Sequence, residues 1–192
     1  MIAVEVKSST LPNEVKYSDT EVLLKEQIEK KFVSGDDDGK KGLSQLAEFL
    51  RRFSAGSALR DPSGKYPAIT KSDIWKIIPV IIFSEQALRT PGVCHYLQSR
   101  LKDLIRVKKP IVTPLVPIPI GELEEIQGHL DELLLGDALE SFLRETDRTT
   151  FLAGNIPLLA GKVRKVGPMM RNLEVLLNET RERLFPGSQP WV

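Results

Sequence analysis

The sequence predicts an α/β fold, in which a small sheet is flanked by helices and followed by a mainly α-helical C-terminal part. Residues 2–7 alternate apolar and polar side chains with a period of two, which is typical of a strand. Residues 75–83 form the most hydrophobic run of the chain and predict a strand buried on both faces. The segments between and after these strands carry leucines at helical spacing, which predicts helices that pack against the sheet.

Composition places the chain among ordinary globular proteins. Its 192 residues are 41% hydrophobic and 28% charged, with a net charge of +1, which excludes disorder of the whole chain. The first 110 residues carry a net charge of +5 and the remainder is acidic, a mild asymmetry that permits contact with nucleic acid. The break at Lys108-Lys109-Pro110 predicts two regions, residues 1–109 and residues 110–192, the second opening with a Pro-rich extended segment.

Several functional classes are disfavoured by residue usage. One Cys excludes an internal disulfide, and one Cys with two His makes a poor zinc set. No run of about 18 apolar residues occurs, so no membrane partner is expected. Because Glu5 and Lys7 interrupt the N-terminal segment too early for a signal peptide, a reducing, cytoplasmic setting is the expectation.

Helices are predicted between the two strands. Ser18 and Glu21 have the spacing of a capping box and predict a helix that ends near Phe32. Residues 40–53 carry an apolar stripe and predict a second helix. A loop is expected over residues 55–70, where Gly and Pro recur.

The second half of the chain is predicted from its prolines and its leucine spacing. Pro79 lacks a backbone N–H, so it predicts an edge position or a bulge within the second strand. Residues 91–105 predict a helix, and the Pro-rich residues 111–120 predict an extended edge segment. The further predicted helices span residues 122–135 and 137–145, split at Gly136, and residues 169–184.

Glu5 and Lys7 form the motif with the clearest chemical meaning. Two residues apart on a strand, they project from the same face. A carboxylate can hold Mg²⁺ or Mn²⁺, which positions a phosphate and lowers the pKa of a bound water. A neighbouring Lys can orient that water or neutralise the developing charge. The pattern also occurs on many ordinary strands with one solvated face.

The order of these segments resembles the PD-(D/E)XK nuclease superfamily, which has a restriction-endonuclease-like fold. The resemblance covers about residues 1–106: the strand Ile2-Ala-Val-Glu5-Val-Lys7, then helices, then a second apolar strand. Gln45-Leu-Ala-Glu-Phe49 is similar to the Q-x-x-x-Y element of RecB-like members, with Phe in place of Tyr. The resemblance implies a nuclease in which Glu5 binds the metal, Lys7 is catalytic and Gln45 assists.

Contacts with nucleic acid are assigned to basic residues of the second predicted helix. Lys40 and Lys41 lie near its start, and Arg51 and Arg52 lie near its end. Binding of these cations to phosphates would depend strongly on salt.

The chain departs from the family pattern at its start. The family places another acidic residue on the strand before the E-x-K strand, and this sequence begins at the E-x-K strand. We therefore expect a C-terminal portion of a longer nuclease, inactive by itself, whose partner is the missing N-terminal portion or a second copy. The alternative is a non-catalytic protein-interaction or nucleic-acid-binding protein on a degenerate nuclease-like fold.

Overall fold

The computed structural model describes residues 1–17, 20–34, 42–105, 111–127, 129–130 and 134–145. These residues fall into two compact units, one up to Ile120 and the other from Gly121 to Glu145. The first unit combines parallel strands with helices, which confirms the predicted α/β class. The predicted helix over residues 169–184 lies outside the described residues.

The sheet of the first unit is small and parallel. Its strands are β1 (Ile2–Lys7), β2 (Lys76–Phe83), β3 (Ile111–Val112) and β4 (Val116–Pro119). β2 is the central strand: β1 pairs with one of its edges, and β3 and β4 pair in succession with the other. The predicted bounds of the first strand are confirmed, and β2 begins one residue later than predicted.

Pro79 does not mark an edge, because β2 lies between β1 and the β3–β4 pair. Thr113 donates its N–H to the carbonyl of Ile77 over 3.0 Å, so the odd-numbered residues of β2 direct their backbone groups towards β3 and β4. β3 pairs with residues 76–77 and β4 with residues 80–83. Residues 78–79 of β2 therefore face three residues, 113–115, which is the bulge that was predicted as the alternative to an edge. The missing N–H of Pro79 falls at this interruption of the hydrogen bonding, which makes proline tolerable in a central strand.

Helices connect β1 to β2 and follow β2. They are α1 (Asn13–Lys16), α2 (Glu21–Ile28), α3 (Leu43–Ser54) and α4 (Pro91–Ile105). A π-helix over Glu29–Ser34 continues α2, and short 3₁₀ turns occupy Lys71–Asp73 and Gln86–Arg89. The predicted bounds of α4 are confirmed.

The starts of α2 and α3 differ from the predictions. α2 is preceded by Thr20, whose side chain makes no capping hydrogen bond, and the predicted cap Ser18 lies outside the described residues. α3 begins at Leu43 rather than at residue 40. The reason is Gly42, which has φ +67°, a conformation that ends helical geometry and that L-residues with a Cβ rarely adopt.

The core of the first unit lies between the sheet and its helices. Ile77, Ile81 and Phe83 of β2 are buried against this core, and Ala3 is its contribution from β1. The helical residues that complete the core are Ile28, Phe32, Leu43, Leu46, Leu50, Phe53, Val93, Leu97 and Leu101. Ile78 and Val80, on the other face of β2, are also buried, so the prediction of a strand buried on both faces is confirmed.

The helices after the sheet are α5 (Ile120–Gln127) and α6 (Leu135–Glu145). The predicted split at Gly136 is wrong: Gly136 lies in the first turn of α6, and the break falls between Gln127 and Leu135. Glycine weakens a helix by only about 1 kcal/mol relative to alanine, through backbone entropy, so it does not have to end one. Among the described residues, no helix has both the length and the apolar character that a membrane crossing requires.

Candidate metal and phosphate site

Glu5 and Lys7 lie side by side on the helix-facing side of β1. The Lys7 Nζ and Glu5 Oε1 atoms are 3.4 Å apart, and the two side chains are only 12% and 14% exposed. Val4 and Val6, on the opposite side of the strand, are 47% and 64% exposed. The charged face of this strand is therefore the covered one, the reverse of an ordinary amphipathic strand. Because both charged side chains are largely shielded from solvent, they interact more strongly with any third charge than exposed side chains would.

Lys7 runs close beside the start of α3. A Cβ on Gly42 would lie 3.2 Å from Lys7 Cε and would collide with the carbonyl oxygen of Phe32. Glycine therefore leaves the space that the lysine side chain uses. The N-terminal end of a helix carries partial positive charge, so an anion near Lys7 would be attracted by both the ammonium group and the helix.

Gln45 occupies the first turn of α3, but its side chain is exposed. Within the described residues, no hydrogen bond joins it to Glu5 or Lys7. Phe49, four residues on, is half-buried and stacks on Phe53 with ring centroids 6.1 Å apart. The structure thus places Gln45 on the same helix as predicted without engaging it at the Glu5–Lys7 pair, and its assisting role stays a prediction.

The predicted phosphate-binding residues are only partly described. Lys40 and Lys41 lie outside the described residues. Arg51 and Arg52 both pair with Glu48, over 2.6 Å and 2.8 Å, with side chains 46% and 72% exposed. The shared carboxylate reduces the local positive charge, although ion pairs this exposed are weak and either arginine can exchange Glu48 for a phosphate.

Glu5 does not belong to a preformed cluster of metal ligands in the part of the chain that the structure describes. No group of three or more His, Cys, Asp or Glu side chains that could hold a metal ion occurs there. Mg²⁺ and Mn²⁺ bind several oxygen ligands, and one or two protein carboxylates combined with water and substrate phosphate are sufficient. Glu5 can therefore supply one ligand, and the remaining ligands have to come from phosphate, water or residues outside the described set.

Glu85 is a buried carboxylate that the sequence analysis missed. It lies two residues after the end of β2, is 3% exposed, and accepts hydrogen bonds from the Leu11 N–H over 2.7 Å and the Ala87 N–H over 3.2 Å. Lys16 Nζ lies 2.9 Å from its Oε2 atom. Burial raises the pKa of Glu85, but the hydrogen bonds from Leu11 and Lys16 outweigh it and hold the pKa below its usual value. Through these contacts Glu85 fixes the position of the segment after β1 that contains Leu11 and Lys16.

A second group of interacting side chains joins the π-helix to α4. Glu29 accepts hydrogen bonds from Tyr96 Oη over 2.6 Å and from Arg100 Nε over 3.1 Å. Burial raises the pKa of Glu29, but these donors outweigh it and lower the pKa; burial and Glu29 together raise the pKa of Tyr96. The sequence carries no pattern that predicts this group, because a π-helix has no distinctive arrangement of residues.

A groove beside this group lies between α2 and α4 and encloses about 460 Å³. Leu24, Ile28 and Val93 line it together with Tyr96, and Lys25 Nζ lies 5.5 Å from the centroid of the Tyr96 ring. Among the described residues, its polar lining offers no metal-ligating cluster. It therefore does not extend the site at Glu5 and Lys7.

Comparisons with known proteins returned no match at any level: no family model matches the chain, no curated protein is similar to it, and no solved structure resembles it.

Proposed function

We propose that the chain carries part of a divalent-metal-dependent nuclease site, built on Glu5 and Lys7. The observation that carries the proposal is the sheltered pair of opposite charges on the helix-facing side of β1, 3.4 Å apart. A parallel strand, β2, lies next to β1, and helices connect the two. This arrangement supports the resemblance to the PD-(D/E)XK superfamily and a restriction-endonuclease-like sheet.

In this proposal Glu5 contributes one oxygen ligand to Mg²⁺ or Mn²⁺. The metal supplies the positive charge that binds a phosphodiester and acidifies a water molecule. Lys7 then exchanges its contact with Glu5 for a contact with the phosphate or the attacking water, at the start of α3. Because the described residues hold no group of three or more metal-ligating side chains, we expect metal-assisted phosphate binding at Glu5 and Lys7, and cleavage requires further ligands from elsewhere.

The proposal is tested by metal-dependent binding and cleavage of nucleic acid. The wild-type chain is mixed with labelled single- and double-stranded DNA and RNA, with Mn²⁺, Mg²⁺ or a chelator. We expect binding that Mn²⁺ strengthens about tenfold, the effect of one added charge-assisted contact. In Glu5→Gln this metal effect disappears. In Lys7→Met the affinity for nucleic acid falls, whereas the affinity for Mn²⁺ alone persists.

Glu14→Gln is the matched control, because Glu14 is an exposed carboxylate on the one-turn helix α1. This variant should retain the full metal effect. Equal Mn²⁺-dependent binding by wild type and Glu5→Gln, with both folded by circular dichroism, would exclude Glu5 as a ligand and defeat the proposal.

The second candidate is a non-catalytic nucleic-acid-binding or protein-interaction function on a degenerate nuclease-like fold. The direct ion pair favours it, since Lys7 already neutralises the charge of Glu5, the carboxylate on which the metal proposal depends. It predicts binding that is unaffected by chelator and weakened by salt. Parallel titrations with and without the chelator separate the two candidates.

A further inference from the structure

The outer edge of β1 has backbone groups that point away from the sheet. Ile78 donates its N–H to the carbonyl of Met1 over 2.9 Å, and Ser84 donates to the carbonyl of Lys7 over 3.3 Å. In a parallel ladder alternate residues of a strand bond the same neighbour, so the odd-numbered residues of β1 bond β2. The even-numbered residues therefore direct their N–H and C=O groups outwards: Ile2, Val4 and Val6.

This edge of β1 is uncovered among the described residues, and its two charged side chains, Glu5 and Lys7, have opposite signs and lie 3.4 Å apart. No described strand pairs with it, and the side chains of Val4 and Val6 are among the exposed apolar groups of the protein. β1 is six residues long and contains neither proline nor a glycine kink. Edge strands of this kind pair readily with another strand unless charges, bulges or proline prevent it.

We propose that a second copy of this chain pairs with this edge, β1 against β1 in antiparallel orientation. Backbone geometry restricts the possible registers, because residues that point outwards must face one another. One register places Glu5 opposite Glu5 of the other copy, and like charges directly opposite are destabilising. Another centres on Val4 and leaves Glu5 opposite Ala3. The register centred on Val6 places Glu5 of each copy opposite Lys7 of the other.

Charge complementarity selects the register centred on Val6. Glu5 and Lys7 of the two copies then form a group of four charges on one face of the joined strands. In this group, opposite charges are adjacent both along and across the strands. Val6 lies opposite Val6, and Val4 lies opposite the exposed Ser8. The two Val6 residues exchange a pair of hydrogen bonds, and the apolar side chains of both copies form one stripe on the other face.

Val6→Pro tests the proposal, because it removes an outward N–H without removing a β1–β2 hydrogen bond. Sedimentation of the full chain is expected to show a dimer of the 21.5 kDa protomer. Two interprotomer hydrogen bonds are lost in Val6→Pro, so self-association should weaken about 25-fold, at roughly a factor of five for each bond. Val6→Thr retains the N–H and should still dimerise. A monomeric wild type, or a dimer that Val6→Pro leaves unchanged, overturns the proposal.

A charge-exchange experiment gives an independent answer if Val6→Pro fails to fold. Glu5→Lys and Lys7→Glu each place like charges opposite one another in their own homodimers, so each should be mainly monomeric. Mixing the two variants should restore association, because lysines then face glutamates across the edge. Failure of the mixture to associate contradicts the proposed register.

The outcome of these experiments is independent of the metal proposal. Val6→Pro leaves Glu5 and Lys7 in place, so loss of the dimer with retained Mn²⁺ binding supports both inferences. Retained self-association in Val6→Pro would overturn the edge proposal and leave the metal proposal intact, whereas retained Mn²⁺ binding in Glu5→Gln would overturn the metal proposal and leave the edge proposal intact.

Discussion

Glu5 and Lys7 show what single residues reveal in advance and what they do not. A period of two in the sequence establishes that their side chains share a face, and the 3.4 Å contact agrees with this. Which face of the strand is covered depends on where the helices pack, and local alternation carries no information about that. The sequence therefore permitted a solvated charged face, whereas the structure covers it and exposes Val4 and Val6.

Gly42→Ala should destabilise the protein by about 2–4 kcal/mol, because the backbone conformation favours glycine and the new Cβ collides with the Phe32 carbonyl. Urea unfolding followed by circular dichroism measures the change. Gly56→Ala is the matched control: Gly56 also has positive φ, at +108°, but nothing lies within 4 Å of its Cβ position. A loss no larger in Gly42→Ala than in Gly56→Ala would show that the close approach is relieved at little cost.

Glu85→Gln should reduce the free energy of unfolding at pH 7 by about 1–3 kcal/mol, since a buried charge-assisted set of hydrogen bonds is weakened. The folded-state pKa of Glu85 is lowered, so its contribution is fully present above the ordinary carboxyl pKa of about 4.3. It is lost as the pH falls through the folded-state pKa. Urea titrations of both proteins at pH 7 and pH 3 should therefore differ most at pH 7, and an equal difference at both would contradict this.

At the scale of elements, the sequence predicted the strands and the longest helix better than their boundaries. β1 and α4 match their predicted bounds because their apolar spacing is regular over the whole element. Pro79 predicted an edge or a bulge: the edge is wrong, whereas the bulge agrees with the extra residue that separates β3 from β4 opposite Pro79. Which of the two occurs depends on the neighbouring strands and is a property of tertiary structure. The π-helix over Glu29–Ser34 could not be predicted from the sequence either, because the contacts that accompany it, such as that of Glu29 with Tyr96, are tertiary.

The contact between the π-helix and α4 predicts measurable coupling between Glu29 and Arg100. Their side chains are 29% and 33% exposed, so solvent screens the pair and the coupling free energy should be about 0.5–1 kcal/mol. A double-mutant cycle with Glu29→Gln and Arg100→Met measures it. Tyr96→Phe in the same background removes only the hydroxyl donor and serves as a comparison. Additive effects of the two substitutions would show that the contact adds no stability.

At the scale of the whole molecule, the parallel sheet places the Glu5–Lys7 pair beside the start of α3, and no strand of the described residues pairs with the outer edge of β1. The α/β class and the pairing of these two residues could be predicted from hydrophobic patterns alone. The covered face and the β1 edge that no described strand pairs with could not, because each depends on which distant segments pack nearby. The proposed nuclease function depends above all on a divalent metal that binds at Glu5.

Paramagnetic broadening by Mn²⁺ tests that claim most directly. In a spectrum of the uniformly ¹⁵N-labelled chain, small additions of Mn²⁺ should broaden the backbone amide signals of Glu5, Val6 and Lys7 first, together with Gly42. Glu5→Gln should abolish this selectivity, and Glu14→Gln should preserve it. Broadening that spares residues 5–7 and affects other acidic residues first would contradict a metal site at Glu5.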